Sequence, residues 1–119
     1  MDKLEHIFEM QQKLNDFIID NHNLRDQYTS EVWIQKNILA LISELGETLN
    51  EVNFKWWKNP KTINKQALKE ELVDVLHFFI SMCLHSGMTA DELYQIYLDK
   101  NKENLNRQIG NSSQKDYRP

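Results

Sequence analysis

Glu44, Glu47 and Glu51 follow one another at three- and four-residue steps, and further along the chain Glu71 and Asp74 repeat the three-residue step. On helices such steps place carboxylates on a single strip. Glu71 and Asp74 sit within the most apolar stretch of the chain, where burying like charges is costly. Two carboxylates about 4 Å apart repel by roughly 4 kcal/mol at an effective dielectric near 20. If the two strips face each other, either their pKa values rise or a cation sits between them. Ligation by oxygen alone favours Mg²⁺, Mn²⁺ or Ca²⁺ over zinc, and Mg²⁺ held by a few carboxylates and water is the usual arrangement for handling phosphates. The competing reading is two solvated acidic faces. A di-iron carboxylate bundle needs two Glu-x-x-His motifs, and the nearest match here is a lone Asp74-Val75-Leu76-His77.

The elements that must carry these residues read as four helices. The first spans about Lys3 to Ile19, followed by a polar stretch from Asp20 to Tyr28 that reads as a loop or a frayed extension. The second begins at Thr29 or Ser30, both good N-caps, with the apolar stripe Ile34, Ile38, Leu41, Leu45, Leu49 and Val52 near a heptad seam. Phe54 to Thr62 breaks the pattern, and Asn59-Pro60 is a turn signal. The third helix runs from near Asn64 to His85 or Ser86, with Gly87 as its C′ residue. It is apolar on most sides, which predicts burial on most sides. Thr89 and Glu92 fit a capping box that opens a fourth helix, with Leu93, Ile96, Tyr97 and Leu105 on its inner face and an end near Gln108. Residues 111–119 form a polar tail.

Length and composition narrow the classes. At 119 residues the chain suits one domain, 1–119, and 40% hydrophobic against 27% charged residues is a globular balance. Three glycines and two prolines are too few for the turns of a β-sandwich or barrel, so the fold class is all-α, a four-helix bundle. A lone cysteine, Cys83, excludes a disulfide framework and a cysteine zinc site. No apolar run approaches the roughly 20 residues of a membrane span, and no secretory pattern opens the chain, so a cytoplasmic location is expected. The net charge of -4 disfavours a nucleic-acid polymer as partner. The apolar surface of the third helix exceeds what one small bundle can cover, which predicts a homodimer, with a tetramer as the alternative.

Glu44-x-x-Glu47 followed, after residues 48–70, by Glu71-x-x-Asp74 matches the ExxE…ExxD signature of the all-α nucleoside triphosphate pyrophosphatases, the MazG-like superfamily. The surrounding motifs resemble its dimeric dUTPase branch. They are Gln11-Gln12-Lys13-Leu14-Asn15-Asp16, Phe54-Lys55-Trp56-Trp57-Lys58-Asn59, Asp74-Val75-Leu76-His77-Phe78, and the Lys100-Asn101…Asn104…Arg107-Gln108 run. The resemblance covers nearly the whole chain. Larger members carry an extra helical segment between the third and fourth helices. Here His85-Ser86-Gly87 leads directly to Thr89, a minimal version.

The resemblance implies Mg²⁺-dependent hydrolysis of dUTP to dUMP and pyrophosphate, with Mn²⁺ as a substitute ion. Glu44, Glu47, Glu71 and Asp74 would be the metal ligands. One of Glu44 and Glu47, with Glu44 favoured, would also orient or deprotonate the attacking water. Gln12 and Asn15, one turn apart, offer amides suited to a uracil edge, or are ordinary exposed polar residues. Trp57 is the candidate for stacking on the base, with Trp56 packing; alternatively both plug the core end. His77 and Phe78 would line the deoxyribose, or His77 is a core histidine bonded to Asp74. Lys100, Asn104 and Arg107 share a helical face and, with Lys115 and Tyr117 of the tail, would grip the phosphates; the plainer reading is cationic decoration of a helix end. His85 and Cys83 read as structural. The other functional readings are a pyrophosphatase of different or broader nucleotide preference and a non-catalytic helical partner-binding protein.

Overall fold

A computed structural model describes residues 2–110. Its helices are α1 (Lys3–Asn21), α2 (Ser30–Glu51), α3 (Lys65–His85) and α4 (Ala90–Gln108), and there is no strand among the described residues. The fold is all-α.

Local chemistry sets each helix start. Asp2, Thr29, Asn64 and Thr89 each accept a hydrogen bond from a backbone N–H in the first turn, and Thr89 with Glu92 completes a capping box. At the end of α3, Gly87 takes φ +82°, and the N–H groups of Gly87 and Met88 return to the carbonyls of Leu84 and Cys83. That left-handed position suits glycine. Asn53, also left-handed, clamps the loop after α2: its amide donates to the Lys61 carbonyl at 2.7 Å and accepts from the Lys61 N–H at 3.1 Å. Residues 54–60, with both tryptophans of that loop, are thereby closed into one excursion. α1 runs two residues past the expected Ile19, into the stretch read as loop or frayed helix.

α2 and α3 form the main helix pair, α1 lies on α3, and α4 contacts α1. The core is small: Phe8, Ile80, Cys83 and Ala90, with Leu4, Leu84, Met88 and Leu93 packed around them. A radius of gyration of 17.9 Å exceeds the about 13–14 Å of a compact chain this long, so the single chain is open.

Three packing expectations are corrected by this openness. α2 turns Ile34 and Leu41 toward α3 together with polar Asn37, Glu44 and Thr48, while Ile38, Ile42, Leu45, Leu49 and Val52 stay exposed. Four of the six stripe residues, Ile38, Leu45, Leu49 and Val52, thus lie on the exposed side of α2. α3, read as apolar on most sides, fully buries only Ile80, Ser81 and Cys83, and leaves Leu72, Val73, Leu76 and Phe79 exposed. On α4 only Leu93 of the expected inner face packs on the core; Ile96, Tyr97 and Leu105 are exposed. In each case the helix is where the sequence places it, but these apolar faces are exposed in the single chain. Among the described residues no single helix is long and apolar enough to cross a membrane.

Candidate active site

α2 and α3 are antiparallel: Trp33 near the start of α2 stacks on His85 at the end of α3, and the acidic residues of both helices meet at the opposite end. Carboxylate oxygens of Glu44, Glu47 and Glu71 lie within 4.8 Å of one another. The second oxygens of Glu44 and Glu71 are buried without a hydrogen-bond partner. Burial first, then the negative charge of Glu47, pushes the Glu71 carboxyl up to about 7; its bonds to Glu47 and Glu44 act in the same direction. Glu44 is raised by the same leading causes, with a contribution from Asp74. Orphaned buried oxygens, all hard donors, and mutual repulsion are what a divalent cation would relieve, so these residues fit an oxygen-ligated metal. Asp74 stands beside this trio on the cavity wall rather than within it. Glu51 also lies outside the trio.

From the acids a cavity of about 540 Å³ runs between α1, α2 and α3. Glu44 and Asp74 form one end, His77 and Phe78 follow one turn on, and Ser81, Trp33 and His85 close the other end. α1 supplies Gln11 and Asn15. Asn15 and Gln11 are a turn apart and meet Ser81 and His77, also a turn apart. Asn15 Nδ2 donates to Ser81 Oγ at 3.1 Å, Gln11 Nε2 donates to Asn15 Oδ1 at 2.9 Å, and Gln11 Oε1 is 2.6 Å from His77 Nδ1. The rings of Trp33 and His85 stack at 5.6 Å and 8°. Burial lowers the His85 pKa and so favours its neutral ring.

The structure brings Glu44, Glu47, Glu71, Asp74, Asn15, His77 and Phe78 to one locus and leaves others apart. Gln12 is exposed and bonded to Asp16; its neighbour Gln11 is the buried amide of the cavity. His77 pairs with Gln11 and not with Asp74. Trp57 and Trp56 contact each other edge-to-face, 59% and 87% exposed, off the cavity wall. The packing expected for Trp56 is therefore absent in the single chain. His85, read as merely structural, lines the cavity. Lys100, Asn104 and Arg107 lie on α4, which leaves α3 at 106°, and none of them lines the cavity. Arg107 donates to Asn104 at 3.1 Å and pairs with Glu103. Lys115 and Tyr117 fall outside the described residues. Sequence reasoning missed Gln11, Trp33, Asn37 and Ser81. Only Gln11 had a local signal, its four-residue step to Asn15.

Two antiparallel helices offering carboxylates to one end of a nucleotide-sized cavity define an all-α protein of the paired-acidic-helix class. The chain belongs to the dUTPase family, whose model matches residues 3–87. That match ends at the turn after α3, so α4 lies outside it. The chain is 31% identical over 87 residues to a dCTP pyrophosphatase of Enterobacteria phage T4, covering 61% of this chain and 51% of the relative. A dCTP pyrophosphatase of Enterobacteria phage LZ5 is 30% identical over 97 residues, covering 79% and 55%. A DNA replication protein of phage T4 is 32% identical over 97 residues, 70% of this chain and 25% of the relative. The chain thus spans between a quarter and about half of these relatives' length. No solved structure matches significantly.

Proposed function

We propose that this protein hydrolyses dUTP to dUMP and pyrophosphate in a Mg²⁺-dependent reaction. One observation carries the reading. In a member of the dUTPase family, three carboxylates from two helices converge at the mouth of a cavity whose far wall is built of amides, a hydroxyl and imidazoles. Glu44, Glu47, Glu71 and Asp74 are the residues that would hold Mg²⁺, or Mn²⁺ in its place. The ion supplies charge neutralisation for the triphosphate and a lower pKa for bound water. Glu44, on the cavity wall, would orient the attacking water and take its proton. His77 and Phe78 flank the sugar, and Gln11, Asn15 and Ser81 meet the base.

The oligomer belongs to the same proposal. α2 exposes Ile38, Ile42, Leu45, Leu49 and Val52 at alternating four- and three-residue steps, the pattern of a helix seam. Beside it lies Gly46, in mid-helix, where a Cβ would meet nothing within 4 Å. A glycine there costs helix stability of about 1 kcal/mol with no packing reason inside the protomer. A second copy seated on the seam supplies that reason, and the protein works as a homodimer. Lys100, Asn104 and Arg107 then reach the phosphates from the second copy, with Trp57 stacked on the base only after its loop moves.

The test is pyrophosphate release from dUTP with and without Mg²⁺, using Glu47→Gln as control. Release that needs both the ion and Glu47 is expected; none under any condition leaves a non-catalytic helical protein. A second reading, dCTP as substrate, is favoured by the names of two phage relatives.

A further inference from the structure

Net charge conceals a sharp division of the chain. Between Asn53 and Lys69 stand five lysines, Lys55, Lys58, Lys61, Lys65 and Lys69, and no acidic residue, in a protein whose overall charge is -4. Exposed charges more than a Debye length apart, about 10 Å at 0.1 M salt, hardly sense one another, so a polyanion meets the local charge and not the total. The net charge that disfavours a nucleic-acid partner for the whole chain therefore does not speak for this segment. Lys58, Lys61, Lys65 and Lys69 are exposed, and the half-buried Lys55 holds its ammonium 5.7 Å from the centre of the Phe54 ring. None of the five forms a salt bridge among the described residues.

The loop gives these charges a shape. Asn53, bonded to both the N–H and the carbonyl of Lys61, closes the excursion between them. Lys55, Lys58 and Lys61 border a concavity of about 470 Å³ together with Asn50, Asn53 and Asn59, and no carboxylate lines it. Ammonium and amide N–H groups turned to one hollow suit anionic oxygens. Beside it stand Trp56 and Trp57, 5.6 Å apart and edge-to-face at 86°. Trp56 is 87% exposed, so its indole adds almost nothing to the burial that holds the single chain together.

Lysines around a hollow, with open aromatic faces next to them, match what a single strand offers. Its phosphates follow a positive groove and its unpaired bases stack on the rings. In a duplex the bases are stacked on each other and leave the indoles no free face. A membrane surface also attracts lysine and tryptophan, but interfacial binding buries the apolar face of a helix. Residues 52–64 are not helical, and Lys55 and Lys58 flank the two indoles on both sides. We infer that the loop between α2 and α3 is a docking surface for single-stranded nucleic acid. Lys55, Lys58 and Lys61 hold its phosphates, and Trp56 stacks on a base. None of these four lines the cavity that the acids close, and none serves the pyrophosphohydrolase reading above, so the two sites can be tested apart.

The experiment is fluorescence anisotropy of a labelled oligodeoxythymidylate of about 16 nucleotides, titrated with the full chain in the absence of Mg²⁺. Binding is expected to weaken with salt, with a slope of log K against log[salt] of about -2, which is three phosphates at about -0.7 each. Trp56→Ala is expected to weaken binding by about fivefold or more, the loss of one stacked base. Lys58→Gln combined with Lys61→Gln is expected to bring the slope to about -0.7. Both changes lie on the surface, and circular dichroism should show unchanged helix content. Affinity and slope untouched by these variants would put the strand elsewhere and overturn the assignment. Equal affinity for a duplex of the same length would overturn the stacking. Binding to vesicles containing phosphatidylserine but not to the oligonucleotide would make the loop a membrane contact instead, and no binding even at low salt would end the proposal.

Discussion

His77 Nδ1 lies 2.6 Å from Gln11 Oε1, a bond between α3 and α1 on the cavity wall. One turn further along both helices, Asn15 meets Ser81. The two helices thus run in step, and the four-residue spacing from Gln11 to Asn15 matches that from His77 to Ser81. Gln12, a residue away, points 100° round the helix and meets Asp16 in solvent. Gln11→Ala should therefore raise KM for the nucleotide about tenfold, the cost of one hydrogen bond plus an orphaned partner. Gln12→Ala should leave KM within about twofold. Steady-state kinetics on both variants would check this, and the reverse ranking would return the base contact to Gln12.

The acidic trio predicts a sharp boundary between ligands and bystanders. Glu47→Gln or Glu71→Gln should lower pyrophosphate release by about 100-fold or more, because a metal ligand supplies several kcal/mol of transition-state stabilisation. Glu51→Gln, on the same strip but outside the trio, should cost less than about threefold. Circular dichroism should show all three variants equally helical.

Glu71 also sets a pH dependence. Its carboxyl is raised from 4.5 to about 7 by burial and by its acidic neighbours, so without metal the folded state prefers it protonated. Its favourable contribution is complete below pH 4.5 and is lost as pH rises through about 7. The metal-free Tm should fall between pH 5 and pH 8. Mg²⁺ binds only the ionised carboxylates, so the rise in Tm on adding it with a nucleotide analogue should be larger at pH 8 than at pH 5. Equal rises at both pH values would contradict a cation at this cluster.

The seam on α2 gives opposite signs in two measurements. Gly46→Ala should favour the isolated helix by up to about 1 kcal/mol, since the added methyl meets nothing in the protomer. The same methyl should weaken self-association, seen by sedimentation as a dimer dissociating at higher protein concentration. Leu45→Asp should abolish the dimer outright, because a charge would be buried in the seam. A dimer untouched by both substitutions would move the interface elsewhere.

Sharing of residues between copies is testable by mixing. Glu47→Gln and Arg107→Ala proteins, each inactive, form mixed dimers in half of the assemblies. If Arg107 serves the partner's site, each mixed dimer holds one intact site, and about a quarter of the unmutated activity should return. No recovery after subunit exchange would confine each site to one chain.

Much of the fold was legible because its rules are local. Thr29, Asn64 and Thr89 cap helices where their side chains can reach N–H groups three residues on, and Gly87 ends α3 where only a left-handed residue turns the chain. The i, i+3 carboxylate pairs are likewise a property of single helices. Which face each helix presents to another is not local. Ile38, Leu45 and Leu49 satisfy a heptad rule whether they meet α3 or solvent, and the periodicity alone could not choose. α3 reads as buried because it is apolar, yet Leu72 and Val73 stay exposed in the single chain.

The chain's residues by themselves determined four helices, two acidic strips and the chemistry those strips invite, since capping, periodicity and charge repulsion act over a turn or two. Tertiary structure alone decided that Gln11 and not Gln12 lines the cavity, that Trp33 meets His85, and that α4 turns away from the acids. Those outcomes depend on the crossing of helices far apart in sequence. A rotation of one residue, 100° about a helix axis, exchanges a solvent-facing amide for a buried one.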